Sequence, residues 1–389
     1  MKIAVFTNTY LPLVNGVANV VEAYRKSLCD LGHEVHIFTS RPCDDRLDAD
    51  NRVYRFPSIE APNLDYHVAM PFSVPIVRAL QRIKFDLVHT HHPLWVGVWG
   101  MWYASWAKLP LVTTIHTEYQ VFADAVPLPA SMVEDYLTKR VAKYCNKCDL
   151  ITTPVESMRE KLSTAGVTKA IELLPNPAEL SPFENPDGTA ARARIGLGPD
   201  HTVLGFVGRL SPEKNLECVL EAVKIVMQRH PDCHLLLVGD GAARPALAEM
   251  AASLGIAERI HFVGETAHQE IPQWQAAIDI FVTASLSETQ PLAYTEAMAV
   301  GTPVVAVSAP GSADMLQHLH NGMLTAPAEG AQGLAEAVNT LVEDRQLRAR
   351  LGQQARQWVR RYEVSAATER LLMFYERVMA EHKTKHEQQ

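Results

Sequence analysis

Two basic and two acidic side chains in the second half of the chain stand where they can hold an anion and pairs of hydroxyls. In Gly205-Phe206-Val207-Gly208-Arg209-Leu210-Ser211-Pro212-Glu213-Lys214-Asn215 a β-rich run breaks at glycine and proline before a helical pattern resumes. A strand end delivers Arg209 and the following turn delivers Lys214 to nearly the same place, and two cations so placed can clamp a diphosphate. The plain alternative is a surface ion pair between Lys214 and Glu213 or a nearby acid. Val238-Gly239-Asp240-Gly241 is a second strand running into a turn, where glycine lets a ligand approach the backbone closely. A structural turn explains it as well. Glu288 and Glu296 stand eight apart, the first in a loop and the second on the helix behind it. Carboxylates accept from vicinal hydroxyls, so the two can hold different sugar rings, or both can be helix-start acids favoured by the dipole. Pro310-Gly311-Ser312-Ala313-Asp314 again opens a helix after a strand. Its free N–H groups suit phosphate, unless Ser312 caps them.

Short β-rich runs alternating with helical patterns must position these residues, which is how parallel sheets with crossover helices read in sequence. The expected strands are 3–7, 35–39, 53–56, 87–90, 111–115, 150–153 and 171–174, then 203–207, 234–238, 260–263, 280–283, 304–307 and 322–324. Prolines, Asn176 and Asp187-Gly188 interrupt all periodicity over 175–199. The expected organisation is therefore an N-terminal domain (1–176), a linker (177–199) and a C-terminal domain (200–364). A last helix, 365–389, is expected to pack back on the first domain. Open sheets of this kind bind ligands at the carboxyl ends of their strands.

Bulk properties narrow the function. A chain of 389 residues, 47% hydrophobic and 21% charged, fits two ordinary globular domains. Its formal charge of -8 argues against nucleic-acid binding. Residues 1–176 are neutral, with 18 basic and 18 acidic residues, so the acidic excess lies beyond them. Such an asymmetry lets one half approach an anionic surface, although solvated faces account for it nearly as well. No apolar run is long enough to span a bilayer, and the first residues read as a strand rather than a signal peptide, so a cytoplasmic protein is expected. Six scattered cysteines make no disulfide framework, and the lone CxxC pair, Cys145 and Cys148, lacks further zinc ligands and reads as buried thiols.

Four of the six tryptophans, Trp95, Trp99, Trp102 and Trp106, share one face of one expected helix with Tyr103 beside them. Either that face packs under the first sheet or it meets a lipid headgroup layer. A helix joining two parallel strands must cover the sheet, which favours burial. Lys139, Arg140, Lys143 and Lys147 on a neighbouring helix offer a second surface for anionic lipid, or a solvated face.

With these residues in view, the chain resembles the retaining glycosyltransferases of family 4, which have the α/β GT-B fold: two Rossmann-like doubly wound parallel-sheet domains facing a central cleft. The resemblance runs end to end. It rests on Phe6-Thr7-Asn8-Thr9-Tyr10-Leu11-Pro12 with Asn15-Gly16-Val17, Gly32-His33-Glu34-Val35, His116 after a strand, Gly208-Arg209 with Lys214, and the Glu288/Glu296 pair. It implies that Gly16 lies where a loop passes close to donor phosphate and that Arg209 and Lys214 bind the diphosphate. Glu288 would sit against the transferred sugar, Glu296 would take the ribose hydroxyls, and His116 would line the donor sugar. Gly208, Gly239, Gly241 and the backbone at Pro291 and Leu292 complete the implied donor set. The two cations stand in for a metal, so neither metal nor cofactor is expected.

Ser287-Glu288-Thr289-Gln290 and the opening motif look most like diacylglycerol glucosyltransferases. The implied activity moves a hexose from a nucleotide diphosphate sugar, UDP-glucose, to an acceptor hydroxyl, here a membrane lipid. The enzyme would be a monomer or homodimer, cytoplasmic or peripheral at the inner face of the membrane. Acceptor recognition would fall to loops around 12–19, 61–71 and 118–129. Three positions depart from the family: Asn8 replaces a commoner acid, Asn176-Pro177 replaces Asn-Gly, and Pro291 stands where glycine is usual, without an N–H to donate. Two other readings stay open, a GT-B nucleotide-sugar epimerase and a non-catalytic sugar-nucleotide-binding protein.

Overall fold

The β-branched runs pair as two separate parallel sheets. Lys2–Thr7 (β1), Glu34–Ser40 (β2), Val53–Phe56 (β3), Ser58–Glu60 (β4), His67–Ala69 (β5), Leu87–Thr90 (β6), Leu111–Thr114 (β7), Leu150–Thr153 (β8) and Ile171–Leu173 (β9) belong to the first half. Thr202–Val207 (β10), Cys233–Val238 (β11), Ile260–Gly264 (β12), Ile280–Thr283 (β13), Val304–Val307 (β14) and Gly322–Thr325 (β15) belong to the second. These come from a computed structural model that describes residues 1–13, 15–40, 52–60, 67–69, 73–116, 130–285, 288 and 290–387. The loop 118–129 and most of 61–71 lie outside the described residues, as do Ser287 and Thr289.

The sheet orders are β3-β2-β1-β6-β7-β8-β9 and β12-β11-β10-β13-β14-β15. Both start from a central strand, step outward in one direction, then return to its other side, which is the Rossmann order. The reversal lies between β1 and β6 in one sheet and between β10 and β13 in the other. The three-residue ribbon β4–β5 has no counterpart among the expected strands; its strands are too short to show a period.

The chain forms two compact units, Met1–Pro177 with Val364–Gln389, and Ala178–Glu363. In the first, alternation along β1 feeds two cores. Ala4 and Phe6 join one with Phe38, Val88 and Ile151, while Ile3 and Val5 join the other. That second core is completed by the helix Gly16–Asp30 (α1) and by Leu371, Phe374 and Tyr375 of the C-terminal helix Val364–Glu387. Parallel sheets need cover on both faces, and the C-terminal helix supplies part of it. The Tyr375 hydroxyl reaches Nδ1 of buried His89 at 2.7 Å, and His89 Nε2 meets Thr114 Oγ1 at 2.7 Å.

Residues 177–199 are not a free linker. They form the turn Ser181–Phe183 and the helix Thr189–Arg194, and Leu180, Phe183, Ala191 and Leu197 bury in the second unit's core. Proline there interrupts periodicity without preventing burial. Cys145 and Cys148 are buried thiols, and burial pushes Cys145 up to about 12. Among the described residues no group of His, Cys, Asp and Glu is arranged to hold a metal ion, and no helix is long and apolar enough to cross a membrane.

The tryptophan face divides, with Trp95 and Trp99 half-buried, Trp99 packed against the core, and the other two turned outward against the favoured expectation. The helix Val96–Ala107 (α3) buries Val96, Gly97, Gly100, Tyr103 and Ala104, leaving Trp102 57% and Trp106 68% exposed. Small residues explain the choice: a Cβ on Gly97 would fall 1.6 Å from the His92 carbonyl oxygen, and one on Gly100 2.7 Å from Thr90. The sheet takes the glycine face because only it can approach so closely.

Two outcomes follow from this packing. Tyr375→Phe leaves a buried His89 nitrogen without its partner, so urea denaturation should show a loss of about 1–3 kcal/mol. Burial holds His89 and His92 down to about 3, and His116 and His234 down to about 4. The unfolded chain binds more protons than the folded one between those values and the ordinary 6.5, so stability should fall as pH drops from about 6.5 toward 4. The urea midpoint at pH 5 should lie below that at pH 7, and His234→Gln should shrink the difference; a flat profile would contradict the assignment.

Candidate active site

The carboxyl ends of β10 and β13 adjoin, so the loops leaving them meet. After β10 the chain turns at Gly208, exposes Arg209 and passes through the single turn Pro212–Lys214. After β13 it runs through Ala284 and Ser285 to Glu288. Lys214 Nζ donates to Glu288 Oε1 at 2.5 Å, and the Ser285 hydroxyl donates to the same oxygen at 3.0 Å. Asn215, held at φ 49°, donates from Nδ2 to the Ala284 carbonyl at 3.4 Å. Arg209 and Lys214 both lie within electrostatic reach of the Glu213 carboxylate, which accepts from Ser211 at 2.6 Å. Lys214 therefore pairs across the two loops rather than with its neighbour Glu213.

A third loop braces this one. Gly208 N–H donates to the Val238 carbonyl, Leu210 N–H to the Asp240 carbonyl and Ala243 N–H to the Leu210 carbonyl, each at 2.9 Å. A Cβ on Gly239, at φ 126°, would stand 2.0 Å from the Gly208 oxygen, and one on Gly241 2.3 Å from the Leu210 oxygen. Both glycines thus have a packing reason: they let the β11 loop zip onto the loop that carries Arg209. A fourth loop closes behind Glu288. Gly311, at φ 84°, would set a Cβ 2.4 Å from the Glu288 carbonyl oxygen. Its N–H is taken by Asp314 at 3.1 Å, and the Ser312 hydroxyl bonds back to Val307 and Ala309. The four-residue helix Ser312–Met315 therefore starts with a carboxylate on its own N–H, which makes it a poor phosphate site.

Glu296 lies on the helix Leu292–Val300, where Gln275 Nε2 donates to it at 3.3 Å. Burial raises its carboxyl to about 7 despite that bond, so at neutral pH it stands ready to lose or keep a proton. Gln275 had no signal in the sequence, since nothing in its helix Ile271–Ala276 marks it. Pro291 precedes the Glu296 helix at φ -69°, its carbonyl accepting from Tyr294 and Thr295. The proline fits the backbone there, and the N–H groups of Leu292 and Ala293 at the helix start have no intrahelical acceptor.

In the first unit the corresponding strand ends gather histidines. His91 follows β6 and His116 follows β7, its neighbour. His91 Nδ1 lies 2.8 Å from His116 Nε2, and His116 Nδ1 lies 3.1 Å from Asn176 Oδ1. With the Asn176 oxygen accepting, His116 carries its proton on Nδ1 and accepts from His91 on Nε2. Burial lowers His116 to about 4, against a smaller upward pull from the Asn176 bond. The ring is neutral and tied at both nitrogens. His91 gave no signal in the sequence because its partner sits 25 residues away. Asn8 serves the fold, since its Oδ1 accepts from Val96 N–H at 3.1 Å and so caps the start of α3. Gly16 opens α1 behind Asn15, whose side chain accepts from Ala18 N–H at 2.9 Å. A Cβ on Gly16 would meet nothing within 4 Å, so packing within the chain does not require glycine there.

Comparison with known proteins identifies the family and the fold. Residues 187–358 match the model of "Glycosyl transferases group 1" and residues 14–181 that of "Glycosyltransferase Family 4". The alpha-monoglucosyldiacylglycerol synthase of Streptococcus pneumoniae is 32% identical over 79% of this chain and 71% of its own length. A GDP-mannose-dependent alpha-mannosyltransferase of Mycolicibacterium smegmatis is 28% identical over 92% of this chain and 94% of its own. The structure of Anabaena HepE in complex with UDP-glucose superposes with a TM-score of 0.73 at 22% identity, covering 97% of this chain and 99% of that one. The paired Rossmann-type sheets are those of the GT-B fold, and the chain belongs to glycosyltransferase family 4.

Proposed function

We propose that this glycosyltransferase takes a hexose from a UDP-sugar, UDP-glucose in the first instance, and passes it with retention of configuration to a hydroxyl of a diacylglycerol-type membrane lipid. The observation that carries the donor half is the Lys214–Glu288–Ser285 cluster, whose lysine lies on the loop that also carries exposed Arg209, at the strand reversal where sheets of this order bind ligands. The alpha-monoglucosyldiacylglycerol synthase relative supports the lipid half, and the UDP-glucose complex of HepE supports the nucleotide and sugar.

In this reading an incoming diphosphate draws Lys214 away from Glu288, because the phosphate oxygens carry more charge than one carboxylate. Glu288 is then released to accept from the hydroxyls of the transferred sugar. The bond between the anomeric carbon and the diphosphate oxygen breaks as the acceptor oxygen bonds to that carbon from the same face. The departing phosphate oxygen takes the acceptor proton. Arg209 and Lys214 stabilise the charge left on the diphosphate. Gly208 and the N–H groups after Pro291 serve the donor.

Thermal shift across a panel of nucleotide sugars tests the donor, since a ligand bound only by the folded state stabilises in proportion to occupancy. UDP-glucose should raise the midpoint more than GDP-mannose; the opposite order would replace the nucleotide assignment. Lys214→Ala should lower kcat/KM about 10²- to 10³-fold, the scale for losing one donor to developing charge. Retained turnover in that variant would remove the clamp from the mechanism. Glu296 supplies a pH dependence. A ribose held by its carboxylate favours the ionised form, so UDP affinity should rise with pH through about 7. Calorimetry at pH 6 and pH 8 reads that rise, and Glu296→Gln should flatten it.

A further inference from the structure

Two helices of the first unit leave a greasy groove that neither sheet face uses. The helix Val74–Arg82 (α2) and α3 are pinned together by the Tyr103 hydroxyl, which donates to the Leu80 carbonyl at 3.0 Å. Between them lies a groove of about 210 Å³ lined by Val77, Leu80, Gln81, Trp99, Trp102 and Trp106 along with that tyrosine. Trp99 stands edge-on to Trp102 with centroids 5.5 Å apart, and Trp106 tilts against Tyr103 at 6.1 Å. The indoles thus form a standing ridge rather than separate surface residues. Val74 adds a 48% exposed apolar side chain at the start of α2. Soluble surfaces rarely expose so much contiguous aromatic area without a partner.

Charge selects that partner. Exposed Arg78, Arg82, Lys84 and Lys108 border the two helices, and the stretch 73–109 contains a single acid, Asp86, which is engaged by the Lys2 N–H at 2.6 Å. A second copy of the chain docking by two-fold symmetry would bring these cations against themselves. An anionic surface into which indoles can sink satisfies both features at once. On the alternative basic helix Ala130–Cys145, Lys139 is already paired with Asp135 at 2.6 Å and Arg140 lies over the Tyr136 ring.

We propose that the α2–α3 face docks the enzyme on an anionic bilayer, with Trp102 and Trp106 entering the headgroup layer and Arg78, Arg82 and Lys108 meeting lipid phosphates. This gives the lipid-acceptor reading a surface and rests on it for its purpose, yet binding is read without donor or acceptor, so the two fail separately.

The test uses the full chain with vesicles of phosphatidylglycerol and phosphatidylcholine. The protein should sediment with the anionic vesicles at low salt, and tryptophan emission should be quenched by lipids brominated near the headgroup. Trp102→Ser with Trp106→Ser should weaken partitioning about tenfold or more. Arg78→Gln with Arg82→Gln should reduce its salt dependence. Lys139→Gln with Lys143→Gln should leave binding within about twofold of the unmodified chain. Quenching of the unmodified protein needs no variant, so a misfolded mutant cannot obscure the result. Failure to sediment, absence of quenching, or undiminished binding by the tryptophan variant would overturn the proposal. So would a vesicle-free dimer that the tryptophan changes dissociate.

Discussion

Where the order of a parallel sheet reverses, two neighbouring strands send their chains to opposite faces, and the loops above them part over an open edge. In the second unit those strands are β10 and β13, and the Lys214–Glu288 ion pair spans their loops. The side chains are 21% and 16% exposed, so the pair is partly desolvated yet still reached by water. Such a pair gives little net stability, because the cost of removing both charges from water offsets most of their attraction. A weak internal contact is useful in a binding site. It keeps both charges oriented and can be exchanged for a ligand of higher charge at small cost.

The first unit meets the same topological constraint with different chemistry. At its strand ends the groups are imidazoles: His89, His91, His92 and His116 are all buried, and burial holds each well below the usual histidine range. Four charged rings could not share that space, so the cluster survives only as neutral hydrogen-bonding groups. Their partners satisfy them in series, from Asn176 through His116 to His91, while His89 spans Thr114 and Tyr375. The last of these partners comes from the C-terminal helix, so the final segment of the chain helps to fix the polar centre of the first unit.

How much of this was legible depended on the range of the signal. Strand runs such as Val304–Val307 show themselves in four residues, because burial on both faces demands a continuous apolar run. The pairing of Lys214 with Glu288, 74 residues apart, followed only from strand order, and no local pattern could select it over Glu213. Residues 177–199 misled because proline and Asp187-Gly188 mark broken periodicity, whereas Leu180 and Phe183 bury through single contacts that need no period. The tryptophan helix misled in the opposite way. Spacing correctly put the indoles on one face, but the inward face was set by Gly97 and Gly100, whose significance lies in the absence of a side chain. Reading small residues three apart as a contact face would have reversed that expectation.

Pro291 draws these threads together. Proline where the family has glycine removes one N–H from the loop that leads to Glu296, which on sequence grounds puts donor binding in question. The backbone at 291 is already at φ -69°, so the ring fits without strain, and its carbonyl organises the first turn of the helix behind it. The first N–H groups without an intrahelical acceptor are then those of Leu292 and Ala293, at the positive end of that helix. Glu288, ahead of this helix, is placed by the backbone at Gly311 and by the bonds from Lys214 and Ser285. Because a glycine that admits no Cβ backs the Glu288 carbonyl, any side chain at 311 would push that residue out of its bonds with Lys214 and Ser285.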